Sequence, residues 1–348
     1  MSSPNSRRHT RCAAAVLGVA GTSLTDDERA FFQDADPFGL ILFARNIQAP
    51  EGVARLVADF RAAVDRDDAP VFIDQEGGRV ARLRPPHWPA LPAASRIGEL
   101  ARRDRAKGMA AAALLGQAIA ATIAPLGIDV ACAPNLDVRG PGANEAVVGD
   151  RSFSDDPALV ADLAAAEEAA LRSAGVATTP KHAPGHGRAK VDSHDALPTV
   201  DADMADILAD LAPYKAATAA PIWMTAHIVF PALDPDRPAT LSPTVLDWLR
   251  WQTGYEGLIA SDDLAMRALP ADPEANARAA RAAGCDFVLY CPGDMAGNRA
   301  AVAGAGPADD RLIQRWRSWT DARPTTPLAD ATALAARLWA MLEETEGA

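Results

Sequence analysis

The sequence predicts an α/β protein closed into a single (β/α)8 barrel, and three observations predict it. Short apolar runs rich in β-branched residues recur along the chain, longer helical patterns separate them, and the runs number eight. Continuous apolar strands alternating with helices imply a parallel sheet covered on its outer face, and eight such units suffice to close a barrel. The rival arrangement, an open doubly wound sheet, has little support. No GxGxxG follows the first strand and the chain contains no GxxxxGK[ST], so the nucleotide-binding forms of that sheet lack their fingerprints.

In chain order the strands are Ala14–Val19, Phe38–Phe43, Val71–Gln75, Ile128–Asp137, Val176–His182, Ile222–His227, Gly257–Asp262 and Asp286–Cys291, each bounded by Gly, Pro or Asp. Helical patterns occupy Thr25–Asp34, Glu51–Asp65, Arg103–Ala124, Pro157–Ser173, Met204–Ala219, Pro243–Trp251 and Pro273–Ala283, and Ala329–Glu344 reads as a final amphipathic helix. Arg7, Arg8 and Arg11 before the apolar stretch Cys12–Ala20 imitate a short signal peptide. The barrel needs that stretch as its first strand, so export is not expected. With no Pro/Gly/Ser linker long enough to separate two domains, the division is an N-terminal extension, 1–12, and one barrel with its C-terminal helix, 13–348.

The chain has 348 residues, 49% of them hydrophobic and 23% charged, ordinary for a globular fold. Its formal charge of −12 argues against a general nucleic-acid or anionic-membrane binder, which normally shows a basic face. No apolar run approaches the ~18 residues of a membrane span. Cys12, Cys132, Cys285 and Cys291 are too few and too irregularly spaced for a disulfide framework or a CxxC zinc site, and read as reduced core thiols.

In a (β/α)8 barrel the chemistry sits at the C-terminal ends of the strands. Here the third strand runs into Asp74-Gln75-Glu76-Gly77-Gly78-Arg79, the fifth ends in Lys181-His182, the sixth in His227 and the seventh in Ser261-Asp262-Asp263. One polar terminus is commonly a cap or turn former, but four together mark a site. The densest stretch is Lys181-His182-Ala183-Pro184-Gly185-His186-Gly187 with Asp192-Ser193-His194, which places three of the six histidines within thirteen residues. Its glycines and proline indicate a shaped loop able to close over a ligand. His182, His186, His194 and Asp192 are also credible zinc ligands, and spacing alone does not decide, since no HExxH or paired CxxC is present.

Four stretches together resemble the motif set of the β-N-acetylhexosaminidases of glycoside hydrolase family 3: Ile73-Asp74-Gln75-Glu76-Gly77-Gly78-Arg79-Val80, Gly149-Asp150-Arg151-Ser152-Phe153, the Lys181 to His194 loop, and Ser261-Asp262-Asp263-Leu264-x-Met266. Pro238-Ala239-Thr240-Leu241-Ser242 adds to the match, which runs in the same order from about residue 15 to 295. The resemblance implies a single barrel acting in the cytoplasm on muropeptide fragments of the bacterial cell wall. It implies a monomer with no metal or organic cofactor, and a small-molecule carbohydrate as its partner.

The resemblance further implies Asp262 as nucleophile and His194, partnered by Asp192, as acid/base. Asp74, Arg82, Arg151, Lys181 and His182 match positions that hold the sugar's hydroxyl and N-acetyl oxygens. Strand alternation allows only one of Asp262 and Asp263 to face the barrel mouth without choosing which, and the resemblance, by making Asp262 the nucleophile, leaves Asp263 pointing elsewhere. A carboxylate on one imidazole nitrogen fixes the tautomer and raises the basicity of the other, so the dyad is chemically reasonable. Glu76 is the conventional carboxylic alternative as acid/base. His186 reads as a loop-shaping hydrogen bonder and His227 as a pocket-wall residue. The sequence departs from the family at Ala183, commonly Phe, which predicts a less well packed loop. Arg188 and Lys190 hint at a substrate bearing a carboxylate.

Two other functions remain open from sequence, a metal-dependent hydrolase and a phosphorolytic rather than hydrolytic glycosidase, while a sugar-binding protein that has lost catalysis is disfavoured by the presence of Asp262 and the Asp192/His194 pair. A β-glucosidase with a second α/β domain has no room, since 57 residues follow the eighth strand.

Overall fold

Around the sheet the eight strands lie in the order five, four, three, two, one, eight, seven, six, every neighbouring pair parallel. A computed structural model describes residues 12–141, 143–193, 195–269 and 272–344. The strands are Ala13–Leu17, Pro37–Leu42, Val71–Ile73, Val130–Ala131, Ala177–Thr178, Ile222–Met224, Leu258–Asp263 and Phe287–Tyr290. The first and second are buried at every residue, as strands with packing on both faces must be.

The fourth and fifth strands are far shorter than the apolar runs predicting them. Pro134 and Pro180 lie in those runs, and a proline has no N–H to give a ladder. Pairing resumes beyond them, where Leu136 N–H donates to the Lys181 carbonyl at 2.8 Å. The barrel closes between its fifth and sixth strands, again past the prolines. Ala183 N–H donates to the Met224 carbonyl and Ala226 N–H to the Ala183 carbonyl, both at 2.8 Å. Ala183 is therefore a buried seam residue, its backbone paired across the closure of the barrel.

Helices α1 (Asp26–Ala35), α2 (Pro50–Val64), α3 (Ala94–Arg103), α4 (Arg105–Ile123), α5 (Pro157–Ser173), α6 (Met204–Asp210), α7 (Ala212–Ala216), α8 (Pro243–Thr253), α9 (Pro273–Ala283) and α10 (Met295–Ala305) cover the barrel. Helices α11 (Asp310–Ala322) and α12 (Ala331–Glu343) follow the last unit. Several starts share one local device. Asp156, Ser242 and Asp272 accept backbone N–H groups as N-caps, and Pro157, Pro243 and Pro273 take the first helical position, where a missing N–H costs nothing. Asp104 caps α4 and so separates it from α3, where the sequence predicted one helix from Arg103. Pro213 similarly divides Met204–Ala219 into two short helices.

Among the described residues one segment, Arg105–Leu126, is long and apolar enough to cross a membrane, contrary to the sequence expectation that none approaches that length. It is 67% buried, with α4 packed against α3, α5 and α12, so its apolar surface is already used. Of the proposed extension 1–12, all but Cys12 lies outside the described residues. Cys12 is fully buried and its carbonyl accepts the Ala308 N–H, so it belongs with the barrel. All four cysteines are buried and unpaired.

Candidate active site

The residues following the strands converge on a cavity of about 290 Å³ at the C-terminal mouth of the barrel. Asp74, Arg82, Arg151, Lys181, His182, Asp192 and Asp262 all line it, so the fold brings together every described member of the expected site. His194 lies outside the described residues.

Lys181 ties two carboxylates together. Its Nζ lies 2.7 Å from Asp74 Oδ1 and 2.7 Å from Glu76 Oε1, all three side chains being largely buried. Arg82 reaches Asp74 Oδ2 at 2.8 Å with its guanidinium over the Phe43 ring. Burial alone would raise the Asp74 pKa, but the charges of Lys181 and Arg82 outweigh it and hold the carboxyl well below its ordinary value. The same carboxylates raise the Lys181 pKa against its own burial.

Arg151 grips Glu76 with two parallel bonds, Nε to Oε2 at 2.9 Å and Nη2 to Oε1 at 2.7 Å. Burial again acts upward, yet Arg151 and Lys181 bring Glu76 down to about 2. That is the opposite of the raised value a general acid needs, and both carboxylate oxygens are engaged by cations. Glu76 anchors Arg151 and Lys181 instead.

Asp137 is the site residue the sequence analysis missed. Its Oδ2 lies 2.8 Å from His182 Nδ1, while its Oδ1 accepts the backbone N–H groups of His182 and His186 at 3.1 and 2.7 Å. Burial opposes ionisation, and the nearby His182 prevails to hold Asp137 at about 2. The signal was present, since Asp137 closes the fourth apolar run as Lys181-His182 closes the fifth. His186 is buried and held neutral, its pKa lowered to about 4 chiefly by desolvation, with Nε2 3.3 Å from Ser193 Oγ.

Asp262 is the penultimate residue of the seventh strand, and its Oδ1 accepts the Asp263 N–H at 2.8 Å. Burial would raise its pKa, but His182, His227, that N–H and Lys181 together keep it below the usual carboxylate range. Asp263 borders the same cavity as well. The ladder to the eighth strand shifts register between Ala260 and Asp263, which breaks the two-residue period where the strand ends. The Asp263 carboxylate is occupied by the backbone N–H groups of Ala265 and Cys291, each at 3.0 Å, and burial pushes its pKa up to about 6.

His227 is fully buried behind the wall rather than in it, with Nδ1 2.8 Å from Thr240 Oγ1 and Nε2 3.0 Å from the Asp263 carbonyl. The Pro238 to Ser242 motif thus braces the turn carrying Asp262. Arg188, expected to offer positive charge to a substrate, is instead paired with Asp206 and Asp210. Among the described residues no three His, Cys, Asp or Glu side chains are grouped as metal ligands.

A parallel barrel whose mouth collects an ionised buried aspartate beside cationic and hydrogen-bonding side chains defines the class, a glycoside hydrolase of the (β/α)8 type. The pattern of the glycosyl hydrolase family 3 N-terminal domain matches residues 14–307, and the chain belongs to that family. Beta-hexosaminidases of Bordetella avium and Alkalilimnicola ehrlichii are 39% and 40% identical, over 79% of this chain in both cases and 79% and 80% of theirs. The structure of NagZ from Neisseria gonorrhoeae superposes with a TM-score of 0.83 at 31% identity, covering 97% of this chain and 98% of that one. A family 3 β-N-acetylglucosaminidase from Paenibacillus gives a TM-score of 0.81 at 30% identity, covering 98% of this chain and 69% of that one.

Proposed function

We propose that this glycoside hydrolase is a retaining exo-β-N-acetylglucosaminidase that removes terminal N-acetylglucosamine from cell-wall fragments such as GlcNAc-anhydro-muramyl peptides in the bacterial cytoplasm. β-N-acetylhexosaminidase activity is supported by the family and by the names of the relatives above. The observation that carries the mechanism is Asp262, ionised at the cavity wall with its pKa held down by neighbouring His182, His227 and Lys181.

In this reading the Asp262 carboxylate attacks the anomeric carbon as the bond to the leaving oxygen breaks, giving a glycosyl-aspartate. His194, oriented by Asp192, gives its proton to that oxygen, then takes one from the water that attacks the anomeric carbon and frees Asp262. Asp74, Arg82, Arg151, Lys181 and His182 bind the sugar, since each hydroxyl drawn out of water needs a partner. Asp137 and Glu76 hold those binding groups in place.

The test is release of p-nitrophenol from its β-N-acetylglucosaminide and β-glucoside by the wild type and by Asp262→Ala, with EDTA and phosphate arms. The expected result is turnover of the N-acetyl substrate alone, lost in the variant and indifferent to EDTA. Loss on chelation would move the histidines to a metal site, and a rate that rises with phosphate, with sugar phosphate as product, would replace hydrolysis by phosphorolysis. Incubation with GlcNAc-anhydro-muramyl peptide, read by mass spectrometry, tests the natural substrate.

A further inference from the structure

Arg188 takes no part in the chemistry above, yet it holds the start of the loop that carries Asp192. The stretch up to Lys190 is fastened to the barrel at several points. The carbonyl of Gly187 accepts the Gly140 N–H at 2.8 Å and that of Ala189 accepts the Asn144 N–H at 3.1 Å. Gly187 lies so near Val138 that a Cβ there would fall 1.6 Å from the Val138 carbonyl oxygen, and no side chain fits.

On the other side Arg188 reaches α6. Its Nε is 2.7 Å from Asp210 Oδ2, and its Nη2 is 3.3 Å from Asp210 Oδ1 and 3.0 Å from Asp206 Oδ1. Asp206 and Asp210 are four residues apart and so share one helix face, which lets a single guanidinium fork span both. The Arg188 stem also covers Gly140, whose Cβ, if present, would lie 2.6 Å from the Arg188 Cγ. Past Lys190 the chain turns tightly, with the N–H groups of Asp195 and Ala196 donating to the Asp192 carbonyl. That turn meets the barrel again where the Ser193 carbonyl accepts the Ala268 N–H at 3.1 Å.

We propose that Arg188 is a positioning residue for the reaction, its ion pairs with Asp206 and Asp210 fixing the base of the loop so that the turn bearing Asp192 meets the cavity in one register. The proposal rests on Asp192 and His194 being the acid/base pair. A clamp of this kind acts on proton delivery, because a small displacement of the donor spoils transfer while leaving the nucleophile and the sugar-binding groups where they were.

The experiment compares kcat/KM, which reports the first chemical step, on phenyl and 2,4-dinitrophenyl β-N-acetylglucosaminides. The first leaving group needs a proton and the second does not. Arg188→Met keeps the stem and removes the fork; Asp210→Asn weakens the same pairs from the other side. Both are expected to lose about tenfold on the phenyl substrate and less than about twofold on the dinitrophenyl one, following Asp192→Ala in direction, with Arg188→Lys partly restoring the rate. Thermal melts confirm folding, and if Arg188→Met does not fold, Asp210→Asn decides. Equal losses on both substrates, or no loss, in a folded variant while Asp192→Ala stays selective overturn the clamp. An Asp192→Ala variant without selectivity overturns the dyad, and the clamp with it.

Discussion

The Nδ1 of His182 lies 2.8 Å from Oδ2 of Asp137, a pairing between residues in the segments that follow two adjacent strands, which leaves Nε2 as the ring nitrogen not engaged by that carboxylate. Asp137→Ala frees the ring and strips two buried backbone N–H groups of their acceptor. Each orphaned donor costs about 1–3 kcal/mol. The expected outcome is a clear fall in melting temperature and at least about a tenfold loss of kcat/KM. Asp137→Asn, which keeps an acceptor oxygen, is expected to recover most of the stability and less of the activity. Thermal melts and steady-state kinetics on the three proteins check this.

Lys181 neutralises Asp74 and Glu76 at once. Removing one member of a buried ionic cluster leaves uncompensated charge, typically worth about 3–5 kcal/mol. Lys181→Met is therefore expected to be strongly destabilised at neutral pH and to recover part of the deficit in acid, where the orphaned carboxylates protonate. Urea unfolding at pH 7 and pH 4.5 measures both; a deficit independent of pH contradicts the charge account.

Glu76 and Asp137 are held at about 2, below their ordinary values of 4.5 and 3.8. A depressed native pKa contributes stability that is complete above the ordinary value and is lost as pH falls toward the native one. Wild-type stability should therefore decline between pH 4.5 and about 2. The gap between wild type and Glu76→Gln should be widest at pH 7 and narrow through that window. Denaturant titrations across the range test it.

Asp263 has the opposite sign, with a native value of about 6 against 3.8. The folded state binds its proton more tightly than the unfolded chain, so a penalty is complete above pH 6 and fades as pH falls toward 3.8. Asp263→Asn keeps an acceptor for Ala265 and Cys291 and lacks the charge. It is expected to be more stable than wild type at pH 8, by about 1–3 kcal/mol, with the advantage shrinking by pH 5. An advantage that does not change with pH rules out this cause.

Glu167 on α5 is buried with Oε1 lacking a hydrogen-bond partner, and desolvation raises its pKa well above 4.5. Burial favours its neutral form, which Gln mimics in shape and charge, so Glu167→Gln should move the melting temperature by less than about 4 °C. Calorimetry at pH 7 checks this, and a larger drop means the site holds a charge.

The alternation of apolar runs and helices made the barrel legible, because a strand packed on both faces must be continuously apolar. The same logic made Asp74, Lys181, His182 and Asp262 legible, since polar residues closing such runs can only sit at the barrel mouth. It did not reveal that Asp263 shares the cavity, because alternation holds only while the ladder is regular and the register shifts there. Nor did it reveal that Arg188 is already neutralised, since its acids lie on α6, beyond the loop that carries it.

By itself the sequence determined the order of elements, the helix starts capped by Asp156, Ser242 and Asp272, and the set of residues available to the site. These depend on local backbone chemistry and burial, which are written into neighbouring positions. Only the tertiary structure decided which charges meet. Asp137 joins His182 across 45 residues, Glu76 joins Arg151 across 75, and Lys181 joins Asp74 across 107. Closing the sheet makes those residues neighbours, and the resulting low-dielectric proximity, absent from any local stretch of chain, sets which carboxylates are ionised and which side chains are held in place.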